Sequence, residues 1–166
     1  EGCKELTSML LMKQLKRIAV IGGSESHMVT GSRIKGYMAA YKELNIPVPA
    51  GLVFLNQDNY IMVERAVDNI FLKGADCIIC MDDSICSAVL NKLGQEDIKV
   101  PSDIKIASFF DSMLLKHNIP AITSLSFDVQ EIGRVACKTL IDLLDGIKVQ
   151  EITYLGYKVE LKESTR

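Results

Sequence analysis

An α/β fold, a parallel doubly wound sheet or two such lobes sharing a cleft, is predicted for this 166-residue chain by three features. Short apolar runs (RIAVI at 17–21, DCIICM at 76–81, KIASFF at 105–110) are almost uniformly apolar, as strands covered on both faces should be. Between them lie longer stretches whose apolar residues recur at three- and four-residue spacing, the mark of amphipathic helices. Glycine or proline closes the segments at Gly22-Gly23, Pro47, Gly74, Gly94, Pro101, Pro120 and Gly146. Strands alternating with helices in this way argue for parallel strands joined by crossovers.

Bulk composition narrows the function classes. With 48% hydrophobic and 24% charged residues the chain is globular, and its length suits one well-buried domain or two small lobes. A net charge of −2 gives no electrostatic footprint for nucleic acid or acidic lipid. The five cysteines (Cys3, Cys77, Cys80, Cys86, Cys137) are odd in number and scattered, which points to a reducing cytoplasm. Cys77 and Cys80 form a C-x-x-C, yet it falls inside an apolar run with no second ligand pair nearby, so both read as core thiols. MLLMKQL at 9–15 is too short and too soon followed by charge for a signal peptide or membrane span. The opening EGCKEL has no methionine and starts mid-pattern, as a piece of something longer would.

Taken in order, Met9, Met12 and Leu15 predict a helix over 7–15 running into a strand at 17–21. Gly22-Gly23 then ends that strand. GGSES matches no phosphate-binding glycine pattern and reads as a plain turn. Ile34, Tyr37, Tyr41 and Leu44 mark one face of a helix over 30–44. Arg33 lies in its first turns, where the helix dipole disfavours a cation. That placement fits either an anionic or polyhydroxyl partner or a solvated surface arginine. A strand at 52–55 leads to the polar loop 56–59, and Val63, Ala66, Val67, Ile70 and Phe71 predict a helix ended by Gly74. After the strand 77–81, Asp82-Asp83-Ser84 opens a helix to Leu93. Two adjacent acids there fit helix capping, with a divalent cation as the other reading.

Residues 98–127 organise the rest. A strand over 105–110 ends in Asp111, at the carboxyl end where ligands bind in open α/β sheets. A polar loop and a second strand after Pro120 follow. Asp128 and Glu131 form an Asp-led capping box for a long helix with Ile132, Val135, Ala136, Leu140, Leu143 and Leu144 on one side. The tail, 151–161, predicts one or two strands. With only His27 and His117, no Ser/His/Asp or Cys/His arrangement can be assembled, which argues against an enzyme. No metal site and no cofactor are expected.

Several of these runs resemble one family. VPSDIKIASFFD, IPAITSLSFDVQEIG and ACKTLIDLLDG are similar to the C-terminal half of LacI/GalR-type transcriptional regulators. RIAVIGG with SRIKGYMAAYKE, and CIICMDDSICSAVL, resemble earlier elements of that family in compatible order. The resemblance implies a periplasmic-binding-protein-like (type I) fold with Rossmann-like parallel sheets and a cleft between lobes. Its crossings would fall near Gly23–Met28, Ser124–Asp128 and Glu151–Tyr157. Residues 1–28 would then belong to the N-terminal lobe, 29–124 to the C-terminal lobe, and 125–166 would return to the N-terminal lobe and end in strands. The DNA-binding headpiece would be absent.

The same resemblance implies a cytoplasmic, homodimeric regulator. Its sensing domain would bind a small sugar-like or nucleobase-like effector and touch DNA only through the headpiece, with no membrane contact. Arg33 and Asp111 match the family's cleft arginine and aspartate; Asp58 and Asp82 are further candidates, Asp82 also being a helix cap. A fork of guanidinium donors and a carboxylate acceptor would orient hydroxyls or N–H groups. Ser108 and Ser87 replace family glycines. With no tryptophan in the chain, Phe109, Phe110 or Tyr60 must supply any stacking surface. The alternative on the same fold is a periplasmic or lipoprotein sugar-binding protein of a transport system.

Overall fold

The computed structural model describes residues 1–113, 115 and 117–166. Six strands form one sheet in the order β2-β1-β3-β4-β5-β6. They are β1 (Ile18–Ile21), β2 (Val53–Phe54), β3 (Cys77–Cys80), β4 (Lys105–Ser108), β5 (Thr123–Phe127) and β6 (Tyr157–Glu160). β1 to β5 run parallel and β6 closes the edge antiparallel to β5. A single row of paired residues crosses the sheet: Phe54, Ile21, Cys80, Ser108, Ser124, Glu160. Because β1 pairs with both β2 and β3, the strand before Gly23 shares its sheet with the 29–124 segment.

Alternation along the buried strands divides the core in two. Ala19, Ile21, Ile78, Cys80 and Ile106 face helices α3 (Tyr60–Leu72) and α4 (Asp83–Gln95), meeting Val63, Ala66, Val67, Ile70, Ile85, Val89 and Leu93. Ile18, Val20, Cys77, Ile79 and Ala107 face helices α1 (Gly2–Met12) and α2 (Met28–Glu43), meeting Leu6, Leu10, Tyr37 and Tyr41. Cys77 and Cys80 thus belong to opposite layers, both buried and unbridged, as core thiols should be. The result is a helix–sheet–helix sandwich around parallel strands.

The first helix starts earlier than its pattern suggests and buries a different face. Cys3, Leu6, Thr7, Leu10 and Leu11 point inward, while Met12 is 65% exposed. Gln14 has φ 69°, so the chain turns sharply there and Leu15 tucks in beyond the helix. α2 follows expectation: Tyr37 and Tyr41 are fully buried, with Ile34 and Leu44 packed beside them. Their hydroxyls hold the start of β1. Tyr37 donates to the Ile18 carbonyl at 2.9 Å, and Tyr41 donates to the Lys16 carbonyl at 3.1 Å while accepting from the Ile18 N–H.

β4 stops at Ser108, two residues short of the expected end. The Ser108 hydroxyl donates to the Phe110 carbonyl and accepts from the Phe110 N–H, curling the chain off the ladder. The tail gives a single strand, followed by a short 3-10 turn at Glu163–Thr165.

The long helix α5 (Val129–Leu144) forms where its pattern places it, and Asp128 caps it by accepting from the Glu131 N–H at 2.9 Å. Only half of the capping box is present, because the Glu131 carboxylate turns to Arg134 instead. None of the residues of α5 is buried. Ile132, Leu140, Leu143 and Leu144, expected to face a core, remain 42–79% exposed.

Candidate functional site

The carboxyl ends of β1, β3, β4 and β5 all open on one edge of the sheet, because these strands are parallel. Immediately past the paired row come Gly22 after β1, Met81-Asp82 after β3 and Phe109-Phe110-Asp111 after β4. Gly22 is required by close approach: a Cβ there would lie 2.8 Å from Met81 Sδ and 3.1 Å from Leu55 Cδ2. The loop at 56–58 is tied to the same turn, with the Asn56 and Gln57 N–H groups donating to the carbonyls of Gly23 and Gly22. Gly22 is therefore the packed residue of this turn, while a Cβ on Gly23 would meet nothing within 4 Å.

Arg33 projects from α2 onto this edge. Its Nη1 donates to the Met81 carbonyl at 2.5 Å, and the guanidinium carbon stands 4.1 Å from the centre of the Phe109 ring. Nε is buried without a hydrogen-bond partner. Burial pulls the guanidinium pKa below its ordinary value, and the nearby Asp82 carboxylate acts in the opposite sense. A half-buried cation stacked on an aromatic face with one donor unspent is a group positioned to accept company.

Phe109 is itself buried, in the core layer shared with α1 and α2. Its ring lies 6.4 Å from that of Phe127, which in turn stacks on Phe110 at 6.1 Å. Beside them, Ser126, Phe127, Asp128, Glu131 and Tyr157 line a hollow of about 390 Å³. The half-buried rings of Phe110 and Phe127 supply an apolar platform of the kind that faces sugar rings or bases.

The expected site residues fall into two groups. Asp82 stands with Arg33 through charge, and it also caps α4, its Oδ1 accepting from the Ile85 N–H at 2.8 Å. Asp111 turns to a different partner: its Oδ2 accepts from Lys162 Nζ at 3.0 Å, and both side chains are about four-fifths buried, at 21% and 23% exposure. Lys162 also donates to Ser124 Oγ at 3.0 Å. Asp58 is exposed on the loop before α3. Sequence reasoning missed Lys162. The available signal was the period-two run Lys158, Glu160, Lys162, the first two on β6 and Lys162 two residues past its end. Among the described residues, no group of three or more His, Cys, Asp and Glu side chains is arranged to hold a metal ion, and no helix is long and apolar enough to cross a membrane.

A family model for the periplasmic binding protein-like domain matches residues 7–165. The HTH-type transcriptional regulator RegA of Clostridium saccharobutylicum is 30% identical over 172 aligned positions, covering 99% of this chain and 51% of that protein. The crystal structure of the transcription regulator CcpA of Lactococcus lactis superposes with a TM-score of 0.91 at 26% identity, covering 99% of this chain and 61% of that one. A complex of the transcriptional regulator CelR with cellobiose has the same fold, with a TM-score of 0.86 at 23% identity, covering 98% of this chain and 51% of that one. The chain spans about half the length of the RegA relative. By its sheet order, its helix layers and this match over nearly its whole length, the chain belongs to the periplasmic binding protein-like domain family, in the form carried by LacI/GalR-type regulators.

Proposed function

We propose that this chain is the effector-sensing part of a LacI/GalR-like transcriptional regulator, non-catalytic, cytoplasmic and dimeric. Its ligand is a small sugar-like or nucleobase-like metabolite held at the carboxyl edge of the sheet. The observation that carries this reading is Arg33, its Nε buried and unpartnered, stacked on Phe109, which lies one residue past the end of β4 and two before Asp111. Guanidinium, aromatic face and carboxylate are the three parts needed to orient a polyhydroxyl ring. The cellobiose held by CelR on the same fold supports a sugar as the first class to test.

The uncovered apolar side of α5 supports a second lobe. A helix with this much exposed leucine and isoleucine belongs against another core. A ligand lodged between two lobes shifts them toward closure by its differential affinity for the closed form. In a dimer that closure resets the spacing of two DNA-binding headpieces against two half-sites.

A thermal-shift screen of neutral sugars and nucleobases on the full-length protein tests the reading. A true effector raises the melting temperature of the wild type, and the rise disappears in Arg33→Ala and Asp111→Ala. Stabilisation that survives both substitutions would place the ligand elsewhere.

A further inference from the structure

Resting on that reading, we infer that Lys162 is a tethered counter-cation of Asp111, set in place by a clasp made of the last residues of the chain. Lys162 meets Asp111 Oδ2 and Ser124 Oγ at 3.0 Å each, with Glu160 Oε2 further off at 3.9 Å. This is a part-buried, hydrogen-bonded ion pair, so it fixes the carboxylate in one orientation. Lys162 is 51 residues from Asp111 along the chain, and its position needs its own explanation.

The clasp supplies it. Ser164 Oγ accepts from the Thr123 N–H at 2.8 Å and donates to the Ile106 carbonyl at 2.6 Å, so one hydroxyl bridges β5 to β4. The Ser164 N–H donates to the Ala121 carbonyl at 3.0 Å. The hydroxyls of Thr165 and Thr123 are bonded at 2.6 Å, and Thr123 Oγ1 also accepts from the Lys162 N–H at 2.8 Å. Ser164 and Thr165 are fully buried, which is unusual for polar residues. The side-chain hydroxyls of the clasp land on Ile106 of β4 and Thr123 of β5, and the Ser164 N–H lands on Ala121 just before β5, so Lys162 enters Asp111's neighbourhood from a fixed point.

The consequence is chemical selection. An ionised carboxylate only accepts hydrogen bonds. A ligand that reaches Asp111 must supply donors to replace or share the ammonium at the carboxylate, which hydroxyl or N–H groups do, whereas a phosphate brings chiefly acceptor oxygens and negative charge. The site is therefore set for an uncharged, donor-rich ligand over a phosphorylated one.

Acetylation of the full-length protein by sulfosuccinimidyl acetate, read by peptide mass spectrometry, tests the pair. Lys158, 75% exposed on β6 and ion-paired to Glu160 at 3.0 Å, is the internal reference. Lys162 should react more slowly than Lys158 in the wild type and speed up by about threefold or more in Asp111→Asn, as loss of a modest ion pair allows. The near-isosteric Thr165→Val should also release Lys162 although neither partner changes, while Thr165→Ser should not. Equal reactivity of the two lysines in the wild type, or no response to Asp111→Asn, overturns the pair; no response to Thr165→Val overturns the clasp. Adding glucose, cellobiose or glucose 6-phosphate separates the rest. Faster Lys162 acetylation with a neutral sugar supports competition for Asp111, whereas slower acetylation, or protection by the phosphate ester alone, overturns the selection. If none of these binds, the sugar-sensing reading fails while the ligand-free arms still decide the pair and the clasp.

Discussion

Arg33 and Met81 are joined across 48 residues of chain, the guanidinium Nη1 donating to the Met81 carbonyl at 2.5 Å. That carbonyl lies one residue past the end of β3, so the arginine extends hydrogen bonding beyond the last paired row of the sheet. The side chain that orders this edge is thus the one proposed to face the ligand.

Removing the guanidinium should cost stability as well as binding. Arg33→Ala abolishes a charge-assisted bond and the stacking on Phe109, and leaves the Met81 carbonyl without this donor. The combined loss is about 2 kcal/mol. Arg33→Lys keeps the charge but not the planar fork, and should recover less than half of it. The urea midpoints of the two variants measure this directly, and an Arg33→Ala midpoint equal to wild type would show that the guanidinium is not part of the fold.

The layers, strand centres and four of the five helices were legible in the sequence because their patterns report a local period that burial then satisfies. Tyr37 and Tyr41 fell on the predicted face and are buried there. The first helix misled because its methionines also recur at helical spacing; Cys3, Leu6 and Leu10 won the inner face through contact with α2. Arg33 and Asp82 were found at the edge, yet Asp111's partner was not. Lys162 reaches it through a tertiary clasp whose parts (Thr123, Ser164, Thr165) look like ordinary polar residues until β4 and β5 are laid side by side.

Burial of thiols sets a pH response. The Cys3 thiol is pushed by burial from its ordinary 9.0 to about 11, and burial likewise raises Cys77. Both folded thiols stay protonated where unfolded ones ionise, so the unfolded state holds fewer protons and stability falls with rising pH. For Cys3 the contribution is complete below pH 9 and lost by about pH 11, a change of about 2 kcal/mol. Wild type minus Cys3→Ala, followed by urea unfolding across that interval, isolates it; parallel curves would refute the shift. Iodoacetamide at pH 8 should label Cys137 alone among the five, since the other four are buried.

The α5 face gives the sharpest contrast between this chain and the longer protein proposed for it. Ile132, Leu140 and Leu143 are at least 42% exposed and bury nothing against the sheet. Replacing Leu140 and Leu143 together by Glu should therefore change the unfolding free energy of this chain by no more than about 0.5 kcal/mol, the range of surface substitutions. Binding of a hydrophobic dye and self-association at high concentration should both fall, because an exposed apolar patch has been broken. In the full-length protein the same pair of charges would be forced into a core, where each unpaired carboxylate costs several kcal/mol. A large stability loss there, with none in the isolated chain, is the expected result. Equal and small effects in both would mean that α5 faces water throughout and that no second lobe packs on it.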